Sequence, residues 1–142
     1  MVVDKKIAMK LWADIYGDKK WAQDCFGVWM CRDDYGDTER TRNDRPGGTG
    51  SPFNYGWTVD HIMPISKFES EEEATFWNNL EPMHYLNNEA KSDKTSFSIN
   101  GVDYQVVKCK ICSAHSKKGY GIQNRATGQR VDWKFTLNSY YI

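Results

Sequence analysis

The sequence predicts an α+β domain, with a helix in front, short strands and helices in the middle, and a mainly β final third. Three observations carry this expectation. Residues 4–16 place Ile7, Ala8, Leu11 and Ile15 at helical spacing behind Asp4, a residue type that caps helix N-termini. "WTVDHI" (57–62) and "LEPMH" (80–84) read as short strands, and Pro64 halts the first because it cannot donate to a ladder. In "FSINGVDYQVV" the pair Asn100-Gly101 interrupts alternating apolar residues, a strong hairpin signal.

The remaining elements follow in chain order. Gly17-Asp18 ends the first helix, and the apolar, aromatic run "CFGVWM" (25–30) predicts a strand. Residues 43–56, "NDRPGGTGSPFNYG", are loop by composition, and Arg45 there, with Arg40 and Arg42 just before it, is either a phosphate contact or plain solvated charge. Ser70-x-x-Glu73 is a capping box, predicting a short acidic helix over 71–77. "YLNNEAKSDK", from Tyr85, has helix formers for two to three turns, and "YGIQN" and "RVDWKF" flank residues 126–129 as a second hairpin.

A chain of 142 residues fits one domain, and 39% hydrophobic with 27% charged residues is a globular composition. No apolar run approaches the roughly 20 residues that span a bilayer, and the N-terminus lacks the pattern of a secretory signal. The expected compartment is the cytoplasm, with no membrane partner. Cys25, Cys31, Cys109 and Cys112 are then expected as thiols or metal ligands. Net charge is zero but unevenly spread: residues 1–90 hold 10 Lys/Arg against 16 Asp/Glu, and residues 91–142 hold 9 against 3. A basic final third suggests a surface that faces a polyanion such as nucleic acid.

The chemistry concentrates around "VDHIMP". If the strand ends at His61, Asp60 and His61 can both serve one substrate group instead of diverging to opposite faces. Downstream, "NNLEPMHYLNNEAKSDK" supplies Asn79, Asn88 and Lys91, with His84, Asn88 and Lys91 on one helix face. A carboxylate with an amide oxygen suits a hard cation such as Mg²⁺ or Mn²⁺ rather than a closed zinc site. A neutral imidazole beside that ion has the pKa a general base for water needs.

Asp60-His61-Ile62-x-Pro64, then Asn79-Leu80, then Asn88-x-x-Lys91-Ser92-Asp93, resembles the HNH (ββα-metal) endonuclease family of bacterial or phage type. The resemblance covers about residues 57–94, with an N-terminal helix and strand (4–32) before it and a β extension (95–142) behind. It implies a metal-dependent nuclease that cleaves DNA to a 5′-phosphate and a 3′-hydroxyl. Asp60 and Asn88 would hold one divalent ion, and His61 would activate water. Asn79 would orient His61 through the backbone, while Lys91 and Lys94 would contact phosphate. The alternative is a non-catalytic HNH-like module that binds nucleic acid or a protein, for example an inhibitor of another nuclease. A protein partner or a homodimer fits either case, since one site cutting two strands needs two visits or two copies.

Two departures from the family's pattern stand out. "KFESEEEATFW" (67–77) is longer and more acidic than the usual Gly-rich loop, which puts the substrate path there in doubt. Many relatives carry two CxxC pairs around this core for a structural zinc, but here the helix-side pair is replaced by His84 and Asn87. Cys109-x-x-Cys112 could begin a zinc knuckle, with His115 and either Cys25 or Cys31 completing it. The plainer reading is four reduced thiols.

Overall fold

The computed structural model describes residues 3–109 and 119–133. The chain divides into two compact units, one of residues 1–59 with 82–88, the other of residues 60–81 with 89–142.

In the first unit, α1 (Lys5–Tyr16) starts where the Asp4 carboxylate accepts the Lys6 N–H, and stops at Gly17, whose φ of 69° suits a residue without a Cβ. Its inward side chains are Ala8, Leu11 and Trp12, whereas Ile7, expected on that face, is exposed. Trp12 takes its place. Its indole packs 4.9 Å from Trp57 and donates to the Lys19 carbonyl at 2.8 Å.

Strands β1 (Trp21–Gln23) and β2 (Trp29–Cys31) form an antiparallel pair with Ala22 opposite Met30. The strand expected over 25–30 is therefore a turn followed by β2. The Asp24 carboxylate makes that turn by accepting the N–H groups of Phe26 and Val28, both at 3.0 Å. Its second oxygen accepts the His84 N–H at 3.0 Å and the Asn87 side-chain amide at 2.9 Å. His84 is itself packed: Nδ1 accepts the Leu86 N–H, so Nε2 carries the proton and donates to the Asn54 carbonyl at 2.8 Å. One oxygen of Asp24 thus ties His84 and Asn87 together.

The 43–56 loop is anchored at its base by an isolated antiparallel bridge between Arg42 and Phe53. Arg42 is not a solvated or phosphate-facing charge. Its guanidinium grips the buried Asp34 carboxylate through two bonds of 2.7 and 2.8 Å. A two-pronged pair of this kind fixes direction as well as charge.

Strands β3 (Trp57–His61) and β4 (Leu80–His84) pair into a two-stranded sheet, each starting in one unit and ending in the other. The helix α3 (Tyr85–Lys91) follows β4 directly. In the second unit, α2 (Glu71–Ala74) begins with the Ser70 hydroxyl accepting the Glu73 N–H, as the capping box predicted, but runs four residues rather than to 77. A three-stranded antiparallel sheet then forms from β5 (Ser96–Ile99), β6 (Val102–Lys108) and β7 (Tyr120–Asn124). Asn100 and Gly101 make the β5–β6 turn with φ of 50° and 79°, the left-handed pair that matches strand twist. The second expected hairpin is reduced, among the described residues, to a bridge between Gln123 and Arg130. Trp133 closes this unit by donating its indole N–H to the Leu80 carbonyl at 2.8 Å.

The mixed composition of one long helix, short helices and small sheets is α+β, as the sequence predicts. Removing the Asp24 carboxylate strips an acceptor from three backbone N–H groups, that of His84 buried, and from the buried Asn87 amide. Asp24→Ala should cost about 2–4 kcal/mol, read as a lower denaturant midpoint with a similar slope. Asp24→Asn, which keeps one acceptor oxygen, should cost less.

Candidate active site

Four of the residues singled out from the sequence (Asp60, His61, Asn79 and Lys91) lie in one unit: Lys91 bonds to Asp60 and the His61 carbonyl, and Asn79 bonds to the two residues after His61. The geometry starts from Asn79, which is fully buried. Its side-chain oxygen accepts the Met63 N–H at 2.8 Å, and its amide donates to the Met63 carbonyl at 3.1 Å and the Ala74 carbonyl at 2.9 Å. Its backbone carbonyl accepts the Ile62 N–H at 2.9 Å. One asparagine therefore fixes the two residues after His61 and ends β3 there, while Pro64 forbids continuation of the ladder. Asn78 is buried too, but these bonds belong to Asn79.

His61 is 8% exposed, and its Nε2 lies 2.8 Å from the Thr75 hydroxyl. Burial is the main cause that holds its pKa below the ordinary 6.5, and Lys91 adds to it while Glu71 opposes it. Burial thus favours the neutral ring over the charged one.

Asp60 is 3% exposed and Lys91 0% exposed. The Lys91 ammonium lies 3.2 Å from Asp60 Oδ1, 3.2 Å from the His61 carbonyl and 5.7 Å from the centre of the Phe97 ring. This corrects the expectation of a phosphate contact, because a side chain with no exposed surface does not reach a ligand in this conformation. Burying an ammonium demands a partner, and the partner is the carboxylate at the end of β3. Lys94, three residues on, is exposed as a phosphate-facing residue would be.

Asn88 lies in the other unit, on α3, where its side-chain amide donates to the Thr58 hydroxyl at 2.6 Å. That bond uses the nitrogen, not the oxygen that would face a cation. Among the described residues no group of three or more His, Cys, Asp or Glu stands together as a metal cluster. A set of one carboxylate and one amide oxygen is not of that kind.

The zinc expectation fares differently at each cysteine. Cys25 and Cys31 are thiols, and burial raises the pKa of Cys31 above the ordinary range, as it does for inert core cysteines. Cys109 is disulfide-bonded, which corrects its assignment as a thiolate ligand and as a reduced thiol. Cys112 and His115 lie outside the described residues. Of the basic final third, Lys94, Lys108 and Arg125 are exposed, and Arg130 is engaged by Asp132 at 2.6 Å.

Thr75 escaped sequence reading. It lies in the acidic stretch that departs from the family's pattern, and its only signal was its place one residue past a four-residue helix. Among the described residues no helix is long and apolar enough to cross a membrane. No family model, curated protein or solved structure matches the chain.

Two outcomes are expected. Lys91→Met leaves the Asp60 carboxylate buried without its cation and should cost about 3–5 kcal/mol in urea unfolding. The Asp60→Asn, Lys91→Met double variant should lose clearly less than the sum of the single losses. In the metal-free protein, His61 should titrate below 6.5 by NMR. The unfolded chain takes that proton first, so the contribution to stability is complete above 6.5 and is lost as pH falls.

Proposed function

We propose that the chain is a metal-dependent endonuclease of the HNH type that hydrolyses phosphodiester bonds in DNA. The observation that carries this reading is the Asn79 clamp on Met63, which ends β3 immediately after a buried, neutral His61. An asparagine committed to the backbone beyond a histidine supports the role that the HNH resemblance implies for Asn79.

In this reading His61 is the general base. It takes a proton from water as the water oxygen bonds to phosphorus and the bond to the 3′ oxygen breaks. The products are a 5′-phosphate and a 3′-hydroxyl. Asp60 and Asn88 are the residues that would hold Mg²⁺ or Mn²⁺, since both offer the hard oxygen donors such ions take. The ion, when bound, supplies Lewis-acid stabilisation of the charge developing on phosphate and leaving oxygen. Lys91 pairs with Asp60 and ties it to the backbone of His61. Lys94, Lys108 and Arg125 are the exposed cations available to the DNA backbone.

A second reading, a non-catalytic module that binds nucleic acid or a protein, draws on one observation. Asp60 already has a cation in the Lys91 ammonium, so its burial is explained without a metal. Supercoiled plasmid incubated with Mg²⁺, Mn²⁺ or EDTA separates the two. Nicking should require a divalent ion and fall by about 10²-fold or more in folded His61→Ala, the usual worth of a general base. Equal nicking by both proteins, or none by wild type with any ion, would favour the binding module.

A further inference from the structure

We infer that Thr75 is a positioning residue that fixes the tautomer of His61, so that the imidazole carries its proton on Nε2 and keeps its lone pair on Nδ1. This deepens the nuclease reading and rests on it for the identity of the base, but not for the tautomer.

The inference follows from counting protons. The Thr75 hydroxyl has one proton, and its oxygen lies 2.7 Å from the Glu71 carbonyl, which can only accept. The hydroxyl therefore donates to Glu71. Only its lone pairs remain for His61 Nε2 at 2.8 Å, so Nε2 must be the donor in that bond. In a neutral ring with a proton on Nε2, Nδ1 is the sole basic nitrogen.

The local fold holds Thr75 to this task. Its N–H donates to the Glu72 carbonyl at 3.2 Å while its hydroxyl reaches Glu71, so both groups are bonded to the short α2 helix. Asn79 donates to the Ala74 carbonyl at 2.9 Å, which ties the residue before Thr75 to the clamp that ends β3. The acidic insertion thus brings a hydroxyl acceptor to the imidazole. Serine could replace threonine in this role, because the hydroxyl is what matters; valine, of nearly the same shape, could not.

The test is ¹⁵N and ¹H NMR of the histidines in the metal-free protein, at a pH where His61 is neutral, in wild type, Thr75→Val and Thr75→Ser. The wild type should show an Nε2 proton protected from exchange with water and a pyridine-type Nδ1. Thr75→Val should lose that protection and give a mixture of tautomers, and Thr75→Ser should restore the wild-type spectrum. His84, whose bonds do not involve Thr75, reports that the variants are folded. On plasmid, Thr75→Val should lower the maximal nicking rate about tenfold or more, as mis-set tautomers do, with little change in KM, and Thr75→Ser should recover it. A wild type protonated on Nδ1, or a Thr75→Val spectrum like the wild type's, would overturn the inference. The expected spectra with no nicking by wild type would support the role of Thr75 and overturn the nuclease reading alone.

Discussion

The organisation of the second unit depends on one buried ammonium. Lys91 is a long, flexible, strongly hydrated side chain, and taking it entirely out of water is costly unless its charge and its N–H groups are met. Asp60 meets the charge and the His61 carbonyl takes an N–H. The last turn of α3 and the end of β3 are therefore held by a single group. The chain leaves α3 through Ser92 with φ of 54°, a backbone conformation seldom adopted by residues other than glycine. Lys94 N–H then closes back on the Lys91 carbonyl at 3.2 Å. The pair contributes less to net stability than its charges suggest, because desolvation offsets most of the attraction. What it does specify is position: Asp60 and the backbone of His61 cannot drift apart while the ammonium stays bonded to both.

The first unit is likewise held by buried carboxylates. Asp24 satisfies backbone donors from a tight turn and from the end of β4, and Asp34 holds the base of a long glycine-rich loop through Arg42. Each carboxylate is buried, and each is answered by several donors, the condition under which a buried charge is tolerated. The directional bonds of one aspartate thus brace residues that lie far apart in the sequence.

Much of the secondary structure was legible in the sequence because the signals were local. Asp4 and Gly17 bracket α1, Ser70 and Glu73 start α2, and Asn100-Gly101 sets the β5–β6 turn, each through chemistry contained within a few residues. β4 matches "LEPMH" residue for residue. The candidate site was legible as a set of residues, since Asp60, His61, Asn79 and Lys91 do share one unit. Their partners were not. A lysine in a helix reads as solvated charge, and nothing local announces that Lys91 is buried. Nothing local marks Asp24 either, since half of its side-chain bonds go to residues some sixty positions away. The strand β1 has three residues, too few for alternation to show. Thr75 acts through a bond fourteen residues back along the chain, and only tertiary structure could reveal it.

The smallness of α2 has a consequence of its own. A helix of four residues cannot sustain itself in isolation, since nucleation costs more than so few bonds return. It stands by its serine cap, by Ala74 in the core and by the Asn79 bond to the Ala74 carbonyl. Local opening of such a segment needs far less free energy than global unfolding. Each opening withdraws the Thr75 hydroxyl and releases the imidazole to exchange its proton between nitrogens. The His61 imidazole is consequently tied to the fraying equilibrium of one short turn. Conditions that melt that turn, such as mild denaturant or warming, would disorder the histidine well before the sheets give way.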